Sequence, residues 1–300
     1  MRKIYILIII LFILFILIFG SIFILASGFS SNKIAKVYLC NEIYYDYSPN
    51  TGFFETKRDA NYYINLLDKL EKDNSVKGIL LIINSPGGEV VASEELAKKV
   101  KEVSEKKPVV AYIQTIGASG AYMVACSSNY IVAQRHAIVG SIGVRMDIIH
   151  FYNLMKKLGI NVTTIKAGKY KDIGSPYRPM TKEEKKMLEH MINETYLYFL
   201  TWVAENRHLS LNYTKKIADG KIYLGEDAKK VGLVDEIGDE ETALKKLEEL
   251  ANISNPKIEK YGLNEGNGLF GIDLNKLAYY LGLGIGRSLE LNSIKLKISE

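Results

Sequence analysis

Hydrophobic and polar positions divide this chain into three zones. Residues 4–26 are apolar apart from Gly20 and Ser21. Residues 34–255 mix short apolar runs with stretches of helical spacing, and the rest of the chain, from about Pro256, carries several glycines. In the middle zone residues 34–39 read as a first strand, and residues 44–56, with Pro49, Asn50 and Gly52, as a loop. Tyr62, Tyr63, Leu66, Leu67 and Leu70 share one face of a helix predicted over 61–71. Residues 76–83 form a nearly unbroken apolar run, the mark of a strand covered on both faces. That run ends in Asn84-Ser85-Pro86-Gly87-Gly88. Helical spacing returns over 91–101, and 109–113 reads as a strand again. Alternation of this kind predicts an α/β fold with a mainly parallel sheet.

Further strands are predicted at 130–133 and around Gly140-Ser141-Ile142-Gly143 within 138–144. A helix follows over 148–158, then a strand at 162–165. Thr181-Lys182-Glu183-Glu184 is a capping box that opens a long helix to about Asn206. Residues 218–238 close the domain, and a short amphipathic stretch, 274–283, lies in the tail. The predicted division is an anchor at 1–31, a catalytic body at 32–255 and a tail of unassigned role at 256–300.

The apolar zone at 4–26 is long enough to matter. At about 1.5 Å per residue it gives roughly 35 Å of helix, against a hydrocarbon core of about 30 Å. A cleavable leader has a shorter core, about 7–15 residues, so an uncleaved transmembrane helix is the expectation. Arg2 and Lys3 precede the span, which keeps the N-terminus cytoplasmic and sends the body to the outer side of the cell membrane. Asn161, Asn193, Asn212 and Asn252 each begin an Asn-x-Ser/Thr triplet, compatible with an outward-facing body.

Charge and composition change this picture little. The net charge of +5 is spread along the chain and gives no reason to expect a nucleic-acid partner. Two cysteines make no disulfide framework. Histidines and cysteines show no metal-ligand spacing, and no phosphate-binding Gly-x-x-x-x-Gly-Lys-Ser/Thr is present, so no metal or cofactor is expected.

The candidate chemistry sits at Gly117-Ala118-Ser119-Gly120-Ala121-Tyr122, between an apolar strand and a second apolar segment. A serine among small residues at a strand-to-helix junction is placed as a nucleophile would be, near backbone N–H groups. No histidine stands in a partner motif, but Lys169-Tyr170-Lys171-Asp172-Ile173-Gly174-Ser175-Pro176 follows about fifty residues later. Serine attacks only when a base takes its proton. A lysine base must lose its charge near working pH, about two to three units below its usual value of about 10.4, which requires roughly 3–4 kcal/mol against the ammonium. Apolar surroundings supply that if no carboxylate pairs with the amine, so Asp172 must point away from Lys171. Gly87 and Gly88 permit close backbone approach, and with Gly120 their N–H groups are candidate donors to an oxyanion.

Taken together, these motifs resemble the signal peptide peptidase A (protease IV) family of membrane-anchored serine–lysine proteases. The resemblance runs from about Ile34 to Gly238. It rests on Asn84-Ser85-Pro86-Gly87-Gly88, Ala118-Ser119-Gly120-Ala121-Tyr122, Gly140-Ser141-Ile142-Gly143-Val144, Lys169-Tyr170-Lys171-Asp172 and the pattern from Ala218-Asp219-Gly220 to Gly238. It implies a Clp/crotonase-like fold with Ser119 as nucleophile, Lys171 as general base and Ser141 orienting the lysine amine. Gly120 and a glycine of the Gly87-Gly88 pair would form the oxyanion hole. Where the family usually has a second glycine after Ser-Gly, this chain has Ala121. The resemblance also implies a homo-oligomeric ring over the membrane, neighbouring subunits that help complete each groove, and substrates among spent signal peptides and unfolded hydrophobic segments.

Three rival readings are weighed against it. A Ser-His-Asp peptidase would have to draw on His136, His150, His190 or His208, with Asp147 or Asp172 as third member, and none sits in a matching motif. A stomatin-associated serine–lysine peptidase shares the dyad but not the Gly-Ser-Ile-Gly and Lys-Tyr-Lys-Asp signatures. A non-hydrolytic crotonase-like scaffold shares the closing Ala-Asp-Gly pattern but sits poorly with an outward-facing body. Ser104-Glu105-Lys106-Lys107 fits a Ser-x-x-Lys pattern but reads as a solvated helix end.

Overall fold

The computed structural model describes residues 12–15, 32–46 and 58–262. The predicted anchor (apart from a helical turn at 12–15), most of the predicted loop at 44–56 and the amphipathic stretch at 274–283 lie outside the described residues. Among the described residues no helix is long and apolar enough to cross a membrane.

One mainly parallel sheet organises the body, as the alternation of runs predicts. Strands β1 (Lys33–Cys40), β2 (Val76–Ser85) and β3 (Val109–Ala118) lie side by side in parallel. Two further strands, β4 (Tyr130–Ala133) and β5 (Ile138–Gly140), share β3 between them. The former takes Val110 to Ile113 and the latter Ile116 to Ala118, so β3 changes neighbour just before Ser119. β6 (Ile222–Leu224) runs antiparallel to β5, and β7 (Glu236–Ile237) parallel to β4. The last strand, β8 (Lys257–Tyr261), pairs with β1 and forms an edge. It lies within the segment read from sequence as a tail, so the body continues past residue 255.

The run at 76–83 is continuous because both faces of β2 are covered. Ile79, Leu81 and Ile83 pack into the larger core and Leu80 and Ile82 into a smaller one, all five nearly inaccessible. Each such side chain contributes about 1.5–3 kcal/mol by leaving water. The larger core lies under α1 (Ala60–Lys72), α2 (Val90–Ser104) and α3 (Gly120–Ala125). Then come α4 (Tyr152–Lys157), α5 (Lys182–Asn206), α6 (Leu211–Ile217) and α7 (Gly225–Lys230). The smaller core is closed by α8 (Glu240–Ala251) through Ala243 and Leu247.

Between residues 145 and 180 no residue is buried. This arm departs from the sequence expectations. The run at 162–165 pairs with no strand among the described residues, and Ile165 is 96% exposed. β-branched residues favour a strand only where a neighbouring strand receives them. The helix expected over 148–158 shrinks to α4, whose start is fixed when the Phe151 and Tyr152 N–H groups donate to the Pro176 carbonyl at 2.7 and 3.1 Å. The capping box forms as expected: Thr181 Oγ1 accepts from the Glu184 N–H, and Glu184 accepts from the Thr181 N–H. Only the C-terminal part of α5 docks on the body, through Phe199, Leu200, Val203 and Ala204. Trp202 Nε1 fastens it by donating to the Met123 carbonyl and Ser127 Oγ.

Candidate active site

Parallel strands place their C-terminal ends together, and here those of β2 and β3 bring two glycine-rich turns into contact. Ser85 and Gly117 are paired residues of the ladder. The next residues therefore leave the sheet side by side, Pro86-Gly87-Gly88 from one strand and Ser119-Gly120 from the other. Ligand sites of open α/β sheets form at such ends.

Ser119 turns the chain sharply. Its φ is 53° and its ψ −127°, outside the regions that L-residues normally occupy. Strain of this kind persists only where the surroundings enforce it. They do so here: the Ser119 N–H donates to the Gly140 carbonyl at 2.8 Å, and its own carbonyl accepts from Tyr122 and Met123. Beyond it every residue of α3 is buried, and the Tyr122 hydroxyl donates to the Leu233 carbonyl at 2.8 Å. Although Ser119 is the N-cap of α3, its hydroxyl makes no capping bond, and the residue lines a cleft of about 900 Å³.

Gly87, at φ 98°, abuts this elbow. A Cβ there would lie 2.6 Å from the Gly120 nitrogen and 2.9 Å from Ser119 Cβ. Its N–H donates to Ser85 Oγ at 3.2 Å, so of the expected oxyanion glycines Gly87 acts as the spacer. By contrast, the N–H groups of Gly88 and Gly120 have no acceptor among the described residues. The two stand close: the point where a Cβ on Gly120 would lie is 3.5 Å from the Gly88 nitrogen. The same point is 2.1 Å from Ser93 Oγ, a buried hydroxyl without a hydrogen-bond partner among the described residues. Two free donors beside a serine hydroxyl are the elements of acyl transfer: a nucleophile and an anion cradle.

Ser141 lines the same cleft. It too has a positive φ, 50°, held by donation from its N–H to the Lys221 carbonyl at 2.8 Å. The walls come from Met123 on α3 and from Tyr196, Tyr198 and Phe199 on α5. Glu94 and Asp219 also line it, each paired with a lysine (Lys98 and Lys221), and the neighbouring Lys221 holds the Asp219 carboxyl below its ordinary value. Sequence reasoning found the serines and glycines but missed Ser93 and the α5 wall. Ser93 is one turn into a helix with no motif around it, and α5 reaches the site only through tertiary docking.

Lys171 is the exception to this convergence. It is exposed, sits on a turn closed by its own N–H to the Gly168 carbonyl, and does not line the cleft. A single chain therefore does not close the serine–lysine pair, contrary to the simplest form of the sequence expectation. None of the four histidines lines the cleft either, which removes the Ser-His-Asp arrangement within one chain. The Asp172 carboxylate is taken by Arg178 and Lys166 and makes no ion pair with Lys171 among the described residues.

Comparison with known proteins agrees with this geometry. The profile of peptidase family S49 matches residues 101–254, and that of Clp protease matches residues 54–142. A Methanocaldococcus jannaschii protein named as a candidate protease is 66% identical over 298 residues, covering 96% of this chain and 94% of its own. An Enterococcus faecium protein named as a candidate signal peptide peptidase SppA is 33% identical, covering 86% of this chain and 75% of its own. Protease 4 of Haemophilus influenzae is 35% identical over 62% of this chain but only 30% of its own length. With a Clp-like α/β body and a strained serine beside two free backbone donors, the chain belongs to peptidase family S49, the signal peptide peptidase A family of serine peptidases.

Proposed function

We propose that this serine peptidase is a membrane-anchored endopeptidase that clears signal peptides and other unfolded hydrophobic segments, with Ser119 as nucleophile and Lys171 of a neighbouring copy as general base. The observation that carries the reading is the meeting of the Ser119 hydroxyl with the free Gly88 and Gly120 N–H groups in one cleft. The lysine's place on an arm without buried residues supports supply from a second subunit. That arm exposes Ile149, Leu154, Leu158 and Ile165, which water disfavours and a second copy would cover. Residues 4–26 would hold the ring at the membrane, with the body on the outer side.

In this mechanism a peptide lies extended in the cleft with its scissile carbonyl over Ser119. The lysine amine takes the hydroxyl proton as Oγ attacks carbon, and the carbonyl oxygen gathers negative charge between the Gly88 and Gly120 N–H groups. Collapse expels the amine of the leaving peptide, which receives the proton from the lysine ammonium. Water, deprotonated by the same amine, then releases the acyl group and restores the serine. Ser141 also lines the cleft, where its hydroxyl would orient the incoming amine. Apolar walls from Met123 and Phe199 suit a hydrophobic side chain.

Subunit mixing tests the reading. Ser119→Ala and Lys171→Ala proteins are each expected to be inactive toward hydrophobic peptides while still assembling. Co-assembled in equal amounts, they regain activity, because some interfaces join an intact serine to an intact lysine. A fully active Lys171→Ala protein refutes the dyad, and silent mixtures of properly assembled subunits refute its sharing between copies.

A further inference from the structure

Charged groups from two elements meet around the turn that carries Lys171. Arg178 donates from Nε to Asp172 Oδ2 at 2.8 Å, from Nη2 to Asp172 Oδ1 at 2.9 Å, and from Nη2 to the Asp172 carbonyl at 3.1 Å. The same guanidinium reaches both carboxylate oxygens of Glu184, in the first turn of α5. Lys166 also donates to Asp172, and to the Lys169 carbonyl at 2.9 Å. Lys169 and Tyr170 both donate to Glu183. The groups about Lys171 are thus Lys166, Lys169, Tyr170 and Asp172 on its own turn, Arg178 in the loop that leads to α5, and Glu183 and Glu184 in the first turn of that helix. Every one of those carboxylates is engaged with a partner other than Lys171.

We propose that Arg178 is a positioning residue for the general base: it occupies the Asp172 carboxylate and ties the turn to α5, leaving the Lys171 amine without its neighbouring counter-ion. This rests on the reading of Lys171 as base. A carboxylate within about 4–6 Å of an ammonium favours the charged form. Asp172 is one residue away and would do so if released. A forked, two-bond guanidinium contact is the arrangement best able to hold it elsewhere. Helix stability gives no reason for the arginine, because a cation beside a helix N-terminus opposes the macrodipole. Arg178, then Lys166, holds the Asp172 carboxyl far below the usual carboxylate range. Glu184 secures the other side of the fork and is almost fully covered.

The test uses the full chain in its assembled form. The rate of Ser119 labelling by a fluorophosphonate is followed against pH, beside kcat/KM for a hydrophobic peptide. The acid limb of such a profile reports loss of the proton from the base. With Arg178→Gln, the limb is expected to move up by about one pH unit; labelling on the limb falls about tenfold, and the high-pH plateau returns. Arg178→Lys gives a smaller shift, since it keeps charge but loses the fork. In the Arg178→Gln/Asp172→Asn double variant the limb returns to its parent position, a restoration that a purely structural role would not produce. An unmoved limb in Arg178→Gln, or one still displaced in the double variant, overturns the proposal. If Arg178→Gln fails to assemble, Asp172→Asn alone decides: its limb stays or moves to lower pH, and an upward move overturns the proposal. Lys171→Ala separates the two claims. An active Lys171→Ala protein ends the dyad reading, whereas an inactive one with an unmoved Arg178→Gln limb ends only this inference.

Discussion

Replacing Gly120 by alanine tests how tightly the anion cradle is built. An added Cβ would lie 2.1 Å from Ser93 Oγ and 2.6 Å from Ser93 Cβ. A rotamer change removes the first conflict but not the second, so α2 and α3 must separate by several tenths of an ångström. Overpacking of that kind costs about 1–3 kcal/mol. The same displacement moves the Gly120 N–H away from the developing oxyanion. Loss of one such donor lowers kcat by about 10²–10³-fold, so partial misplacement is expected to cost about 10–100-fold. Ser93→Gly takes away both colliding atoms, at about 0.5 kcal/mol for glycine in a helix in place of serine. The double variant should therefore recover most of the lost stability, with a favourable coupling of about 1–2 kcal/mol in a double-mutant cycle. Urea denaturation measures the stability term, and kcat/KM on a fluorogenic hydrophobic peptide measures the rate. Strict additivity of the two substitutions, or an unchanged Gly120→Ala enzyme, would refute the reasoning.

Three other outcomes follow from named contacts. Tyr122→Phe leaves the buried Leu233 carbonyl without its 2.8 Å donor and should lower stability by about 1–3 kcal/mol, read as a shift in the urea midpoint at constant slope. Asp172 and Glu184 have folded pKa values depressed by Arg178, Glu184 to about 2. Their contribution is complete above the unfolded value of about 4 and is lost as pH falls toward the folded values, so amide protection over residues 166–184, relative to the intrinsic exchange rate at each pH, should fall below about pH 4 and hold steady above it. Ile165→Asp alters a side chain that is 96% exposed in one chain. It should leave unfolding of the subunit within about 0.5 kcal/mol but shift the assembly to smaller species by light scattering, and an unchanged size would remove this face from the proposed contact.

Local patterning made most of the body readable. The doubly covered run at 76–83, the helix at α1 and the Thr181–Glu184 capping box each follow from side chains a few residues apart, and each is present as read. What failed was non-local. Residues 162–165 have strand composition but no ladder partner, so the pattern had nothing to complete it. β8 was hidden in an apparent tail because its place depends on β1, over two hundred residues earlier in the chain. α8 carries its own cap, Asp239 accepting from Thr242, and an amphipathic Ala243, Leu244, Leu247 pattern.

The site divides along the same line. Ser119, Gly88 and Gly120 were legible because a parallel ladder fixes where two consecutive strands end, and their turns have few chemical alternatives. The distance between Ser119 and Lys171 was not, because no spacing rule links a residue on an exposed arm to a serine on a buried elbow. Ser119 is strained, α3 behind it is wholly buried, and its place is set by the core. Lys171 sits where no residue from 145 to 180 is buried, and its turn is held by polar bonds to the start of α5 rather than by the core. A dyad divided between a core-held half and an arm-held half would be completed only when the arm is seated. On the proposed assembly an unassembled subunit would then carry a nucleophile without a base, and hydrolysis would be confined to the finished ring. The Arg178 fork matters in that setting because it is the part of the arm whose order is intrinsic: it holds the turn's shape and charge before any partner arrives.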